Sequence, residues 1–283
     1  MATTTAATRT IKVAIVQYEP QLMERQRNMD AVASMLQSLS ATDGLDILML
    51  SEMAFTGYCF RDRAEVEPLA EFPSNGATFT WCQHQARRLQ CLVACGYVEK
   101  TDSVADGSPL FNAMMVVGPD GALVYNYRKT NLYETDKSWA TPGAGFGDWF
   151  CPWLNVHLSF GICMDINPHN FEAAYDAYEF ATSVVAAQSS LILFSSAWTD
   201  HNPGETNPTA MPTMQYWANR LKPVIDVAND TNRACYFICS NRTGIERGTA
   251  FVGGSCILSL REPSIVVAAN RFDQVVLVST LPL

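Results

Sequence analysis

The chain has 283 residues, with 19 Lys and Arg against 28 Asp and Glu for a formal charge of −9; 48% of it is hydrophobic and 17% charged. That is globular composition and not a disordered tail, and the length fits one large α/β domain or two small ones, with room for a sizeable core. The acidic balance and the lack of any Lys/Arg cluster argue against nucleic acid or an anionic membrane surface as the main partner.

In chain order, MATTTAATRT has no apolar core segment, so residues 1–9 read as a disordered lead-in without a secretory signal and residues 10–283 as one domain. IKVAIVQY (Ile11–Tyr18) and DILML (Asp46–Leu50) are near-continuous apolar runs, as expected of strands covered on both faces. Between them Met29, Val32, Leu36 and Leu39 form one stripe of an amphipathic helix. Helices are predicted over Ala77–Leu89, Pro168–Ala186 and Pro212–Asp226, the second with Asn167 as N-cap and Pro168 in its first turn. Further strands are predicted over Cys91–Glu99, Phe111–Val117, Leu123–Tyr127, Leu154–Phe160, Leu191–Ser195, Ala234–Cys239, Phe251–Leu260, Ser264–Ala269 and Gln274–Ser279, with Pro119-Asp120-Gly121 as a hairpin turn. The longest uncharged stretch, Phe180–Thr199, is broken by Gln188, Ser189, Ser190, Ser195 and Ser196 and reads as a helix end plus a buried strand, not a membrane span. Alternating elements of this kind imply sheets covered by helices.

The nine cysteines, mostly in apolar runs, imply reduced thiols in the cytoplasm or nucleus. No Cys-x2-Cys pair or HExxH motif is present and the four His are scattered, so neither metal nor cofactor is expected.

Three segments share one shape, an apolar strand running into a reactive residue and then a turn. They place Glu52 in LMLSEMAFTGY, Lys129 in LVYNYRKTNLYETD and Cys163 in LSFGICMDINP. Each residue alone is ordinary: a strand-end Glu or a Lys is usually surface, and a Cys in an apolar run is usually packing. Together they make a coherent set. Glu52 can take the Cys163 proton, return it to a leaving amine and then activate water, while Lys129 and the Met164 backbone N–H hold an oxyanion. A Cys–His hydrolase using His157 or His169 is the alternative that the same residues leave open.

These segments resemble the nitrilase superfamily of carbon–nitrogen hydrolases, and the resemblance runs from Ile11 to about Leu281. The family's Glu-Lys-Cys triad falls on Glu52, Lys129 and Cys163, and FSSAW (Ser195, Ser196, Trp198) and CSNRTGIERGTAFVGGS (Asn241, Gly244, Gly253, Ser255) match further motifs. The resemblance implies a four-layer α-β-β-α sandwich and a second acidic residue after the lysine, where this chain has Asp136 with Glu134 nearby. Cys163-Met-Asp-Ile-Asn-Pro, Tyr216-Trp217-Ala-Asn219-Arg220 and Phe251-Val-Gly-Gly-Ser-Cys256 are most similar to the fungal-type amidases of protein N-termini. Those convert N-terminal Asn or Gln to Asp or Glu with release of ammonia, and their products feed N-end-dependent degradation.

The substrate then expected is a polypeptide N-terminus bearing Asn or Gln. Its ammonium group needs an acceptor, for which Asp165 is the first candidate and Glu134, Asp136 and Asp200 the next, with Trp198 as a pocket wall. A small free amide remains the competing substrate, with Arg242 or Arg247 available for its carboxylate. A monomer or homodimer is expected.

Overall fold

The computed structural model describes residues 9–101 and 107–283; most of the expected lead-in, residues 1–8, lies outside the described residues. Among the described residues the strands follow one another as β1 (Thr10–Gln17), β2 (Ile47–Met49), β3 (Leu92–Lys100), β4 (Leu110–Val117), β5 (Leu123–Arg128), β6 (Gly147–Cys151), β7 (Val156–Ile162), β8 (Leu191–Ser196), β9 (Tyr236–Asn241), β10 (Thr243–Glu246), β11 (Thr249–Val252), β12 (Cys256–Ser259), β13 (Ser264–Ala268) and β14 (Val275–Pro282). They form two six-stranded sheets, β14-β1-β2-β3-β4-β5 and β13-β12-β9-β8-β7-β6, plus the β10–β11 hairpin.

Alternation along each strand builds the layers. Val13 and Ile15 of β1 point into a core shared with Leu158, Phe160, Leu193 and Ile238 of the second sheet. Their neighbours Ala14 and Val16 face outward under the helices α1 (Arg25–Met35) and, beyond the short α2 (Arg63–Val66), α3 (Ala77–Leu89). The second sheet repeats the arrangement. After α4 (Glu134–Lys137), the helices α5 (Glu179–Ala186), α6 (Met211–Arg220) and α7 (Lys222–Asp230) cover its outer face, packing Phe180, Val184, Met214, Trp217 and Val224 on Ile192, Phe194 and Phe237. The result is the expected α-β-β-α sandwich, and burial on both faces is why the strands read as unbroken apolar runs.

In each sheet three central strands are parallel: β1-β2-β3 in one and β7-β8-β9 in the other. Glu52, Cys163 and Ser196 all lie at the carboxyl ends of such strands, where α/β sheets open their crevices.

Three expectations fail locally. The helix predicted from Pro168 begins only at Glu179; before it come short 3-10 turns at Cys163–Ile166, His169–Phe171 and Tyr175–Ala177. Asn167 and Pro168 are extended, and Asn170, Phe171 and Tyr178 take left-handed backbone angles. Hydrogen bonds from Tyr216 and Arg220 to Asn167, Ile166 and Tyr175 override the helical spacing. The helix predicted over Pro212–Asp226 is two, α6 and α7, because Pro223 has no N–H to continue the ladder past Leu221. The strand predicted over Phe251–Leu260 divides at Gly253-Gly254, both at positive φ; a Cβ on Gly253 would lie 2.2 Å from the Arg271 carbonyl oxygen. The strands β6 and β10 are additions to the predicted set.

Candidate active site

Glu52 follows β2 in a turn laid against β3, with the Gly96 N–H donating to the Ser51 carbonyl at 3.2 Å and the Ala54 N–H to the Gly96 carbonyl at 2.9 Å. Gly96 permits this approach, since a Cβ there would stand 2.5 Å from the Ser51 oxygen and 2.7 Å from Glu52 Cα. Lys129 leaves β5 with its N–H on the Asn112 carbonyl at 2.8 Å. Cys163 follows β7 at φ +43°, a left-handed angle that turns its side chain off the strand line, and it is 9% exposed.

The side chains of Glu52, Lys129 and Asp136 are fully buried and interlocked. Lys129 Nζ donates to Glu52 Oε1 and to Asp136 Oδ2, each at 2.6 Å. Asn112 Nδ2 bridges the two carboxylates, 2.7 Å from Glu52 Oε1 and 3.1 Å from Asp136 Oδ1. The Ala197 N–H donates to Glu52 Oε2 at 2.7 Å, and the Tyr58 hydroxyl and the Tyr133 N–H donate to Asp136. Glu134, two residues before Asp136, is exposed and pairs with Lys137 instead.

Charge follows from this geometry. Burial works to neutralise the Lys129 ammonium, but the Asp136 and Glu52 carboxylates outweigh it and hold the lysine charged. Burial, with a smaller push from Asp136, raises Glu52 above the usual carboxylate range against the pull of Lys129 and Asn112, which suits it to accept a proton. Burial and then the Glu52 charge push the Cys163 thiol up, while Lys129, the Ser196 hydroxyl and the Ala197 N–H draw it down. Both groups are thus raised on balance, the Cys163 thiol beside the Glu52 carboxyl.

Asp165 does not reach the chamber above Cys163. Its carboxylate accepts from the N–H groups of Thr130 (3.0 Å), Asn131 (2.7 Å) and Ile162 (2.8 Å) and from the Tyr127 hydroxyl (2.8 Å), tying the lysine loop to the cysteine turn. A side chain with four donors already in place holds the frame and has no lone pair left for an incoming ammonium. Burial raises Asp165 to about 6, opposed by those same hydrogen bonds. Because the folded-state value lies above the unfolded one, proton uptake as pH falls through 6 favours the folded state. Activity is thus expected to decline near pH 6 as the carboxyl loses acceptor capacity, while the melting temperature holds. Measuring kcat/KM and Tm across pH 4–8 checks this, and a parallel fall of both would refute it.

Above Cys163 lies a chamber of about 170 Å³ bounded by Tyr133, Met164, Asn167, Ala197, Trp198 and Thr199. Asn167, Phe171, Trp198, Thr199 and His201 are shared with a wider outer chamber of about 440 Å³, whose far wall includes Asp200, Glu205, Tyr216 and Arg271. Phe171, 60% exposed at the mouth, faces this cleft and is not part of a helix stripe. Asp200 is paired with Arg271, whose guanidinium also holds the carbonyls of Asn202, Glu205 and Asn207 and so shapes that wall.

Helix α6 grips the segment after the cysteine. The Tyr216 hydroxyl donates to Asn167 Oδ1 at 2.6 Å, and Arg220, 1% exposed, donates through Nε to the Ile166 carbonyl at 2.9 Å and through Nη1 to that of Tyr175. The Arg220 guanidinium also lies over the Tyr175 and Tyr178 rings at 4.7 and 5.0 Å. Replacing Arg220 with Leu strands both carbonyls and is expected to cost about 2–3 kcal/mol of stability, read as a lowered urea midpoint.

The other basic candidates lie elsewhere. Arg242 is buried against Glu246 with its guanidinium 3.9 Å from the Phe251 ring centre, and Arg247 pairs with Glu65. His157 opens β7, at the opposite end of the strand from Cys163, and His169 Nδ1 is engaged with Asn131 Oδ1 at 2.9 Å. Sequence reading missed Asn112, Tyr58, Asn167 and Arg271. The one local signal was Asn112, a lone amide within the apolar run LFNAMMVV.

No helix among the described residues is long and apolar enough to cross a membrane. The chain is 29% identical over 269 residues to the protein N-terminal amidase of Schizosaccharomyces pombe, covering 89% of this chain and 92% of that protein. It is 28% identical to the protein N-terminal amidase of Saccharomyces cerevisiae over 66% of this chain, a match that spans 45% of that longer protein. A crystal structure of N-terminal amidase with an Asn-Glu peptide superimposes with a TM-score of 0.84 at 19% identity, covering 97% of this chain and 98% of that one. The carbon–nitrogen hydrolase family model matches residues 12–283, and the chain belongs to that family.

Proposed function

We propose that this protein hydrolyses the side-chain amide of N-terminal Asn or Gln in polypeptides, releasing ammonia and leaving Asp or Glu. The observation that carries this reading is a thiol at the base of a narrow chamber, beside a buried Glu–Lys–Asp cluster, that opens into a wider cleft. The narrow part suits one small amide side chain and the wide part the peptide that follows it. The similarity to protein N-terminal amidases along most of the chain supports the same substrate class.

In this mechanism Glu52 removes the Cys163 proton as the sulfur attacks the amide carbon. The tetrahedral oxyanion is held by Lys129 and by the Met164 N–H, which lies in the first turn of a 3-10 segment and has no partner within it. Glu52 returns the proton to the departing ammonia, then takes one from the water that opens the thioester. Asp136 and Asn112 keep Lys129 and Glu52 in register. Asp200 borders the cleft, unlike Asp165, Glu134 and Asp136. Its carboxylate takes one bond from Arg271 and one from the Asn202 N–H. With the lone pairs left over, and the more exposed Glu205 beside it, it is the acceptor we assign to the substrate ammonium. Trp198 lines both chambers.

The test compares an Asn-initiated peptide, its N-acetylated twin and free glutamine, reading ammonia and the one-dalton mass gain. Release from the free-amine peptide alone supports the proposal. Equal rates on the acetylated peptide would remove the ammonium site, and release from glutamine alone would make the protein a small-molecule amidase.

A further inference from the structure

Ser196 is the last residue of β8 and is completely buried, yet its hydroxyl has no oxygen or nitrogen partner, and the group it acts on is the Cys163 sulfur. An unpartnered buried hydroxyl costs stability, so its presence calls for a physical reason. The sheet register supplies one. In the parallel β7–β8 pair Ile162 lies beside Ser195, and the turn that begins with the next residue, Cys163, packs against the end of β8. The Ser196 hydroxyl faces the Cys163 sulfur, together with the Ala197 N–H that also binds Glu52 Oε2. The charged groups acting on that sulfur are Glu52 and Lys129.

We propose that Ser196 is a further catalytic residue, whose O–H rotates onto the Cys163 sulfur and donates a hydrogen bond to it as the thiol proton leaves. The proposal rests on Cys163 being the nucleophile. In the step itself the S–H bond breaks, its proton passes to a Glu52 oxygen and its electron pair stays on sulfur; Ser196 keeps its own proton throughout. In the resting enzyme the hydroxyl meets only a neutral thiol, a weak acceptor, and its contact strengthens as negative charge develops. An interaction stronger in the activated state than at rest accelerates the step instead of merely holding the structure.

The test is the rate at which iodoacetamide alkylates Cys163 in the full chain, mapped by mass against the eight other thiols, together with kcat, KM and Tm on the Asn peptide. Ser196→Ala is expected to slow alkylation and kcat about tenfold, the worth of one good hydrogen bond, with KM unchanged and Tm equal or higher. Ser196→Thr, which restores a hydroxyl, is expected to recover part of the loss. Ser195→Ala is the control: Ser195 is equally buried and unpartnered but points to the opposite face of the strand, and its alkylation rate should match the wild type. Wild-type alkylation in Ser196→Ala, or a loss of activity that tracks a fall in Tm, would overturn the proposal. Failure of wild-type Cys163 to react ahead of the other thiols would overturn the nucleophile, and the role of Ser196 with it.

Discussion

Cys163→Ala is expected to abolish ammonia release from an Asn-initiated peptide, by about 10⁴-fold or more, with the fold retained. The loss is large because the sulfur is the group set beside Glu52 and Lys129, while the Ser196 hydroxyl is fully buried and the neighbouring Met164, Asn167 and Ala197 carry no nucleophile. Stability should change little. The sulfur is nearly buried, but its removal uncovers no charge, since Glu52 keeps its bonds to Lys129, Asn112 and Ala197. Rates on the peptide and a thermal melt check the two halves separately. Retained activity would exclude the thioester route.

Lys129→Met is expected to fail differently, losing both activity and stability. The ammonium bridges two carboxylates that are themselves fully buried, and both contacts are 2.6 Å. Taking it away leaves Glu52 and Asp136 facing each other across Asn112, and breaking a buried ion pair in this way costs about 3–5 kcal/mol. One carboxylate is then expected to take up a proton, so the variant should regain part of its stability as pH falls from 8 to 5, the reverse of an ordinary surface pair. Catalysis should fall by about 10²–10³-fold from loss of an oxyanion donor alone, and further because a protonated Glu52 cannot accept the thiol proton. Urea unfolding at several pH values, with kcat measured at each, checks both effects. A double variant, Lys129→Met with Asp136→Asn, is expected to recover stability without activity, which separates the electrostatic cost from the chemistry.

The contrast between these variants rests on what holds each side chain. Cys163 is placed by its backbone: the left-handed angle at the end of β7, the Asp165 carboxylate beneath the turn and the Arg220 grip beyond it. Lys129 is placed by charge. A substitution at the first removes the proposed nucleophile, and one at the second removes the counterion of a buried cluster.

The sandwich was legible from the chain because its signals are local. Two-sided burial makes a strand apolar at every position, and IKVAIVQY carries that mark without reference to any other segment. Turn chemistry is local too: Pro119-Asp120-Gly121 makes its hairpin with the Gly121 N–H on the Gly118 carbonyl at 2.8 Å. Reading failed where an anchor from a distant segment outweighed local spacing. Residues 168–178 have the periodicity of a helix, but Tyr216 and Arg220 hold them in short turns with Phe171 facing the cleft.

The site divides along the same line. The sequence by itself determined that Glu52, Lys129 and Cys163 each end a strand-like run, because residue type and apolar pattern are properties of neighbours along the chain. Only the tertiary structure decided which groups meet. Lys129 bonds Glu52 from 77 residues away, and the Ala197 N–H bonds it from 145. The structure also selected Asp136 over Glu134 as the partner of the lysine, turned Asp165 into the frame instead of the chamber, and joined Asn112 to both carboxylates. The physical reason is that a carboxylate's role is set by the donors packed around it, and those donors come from strands and loops that adjoin only once both sheets have closed on one core.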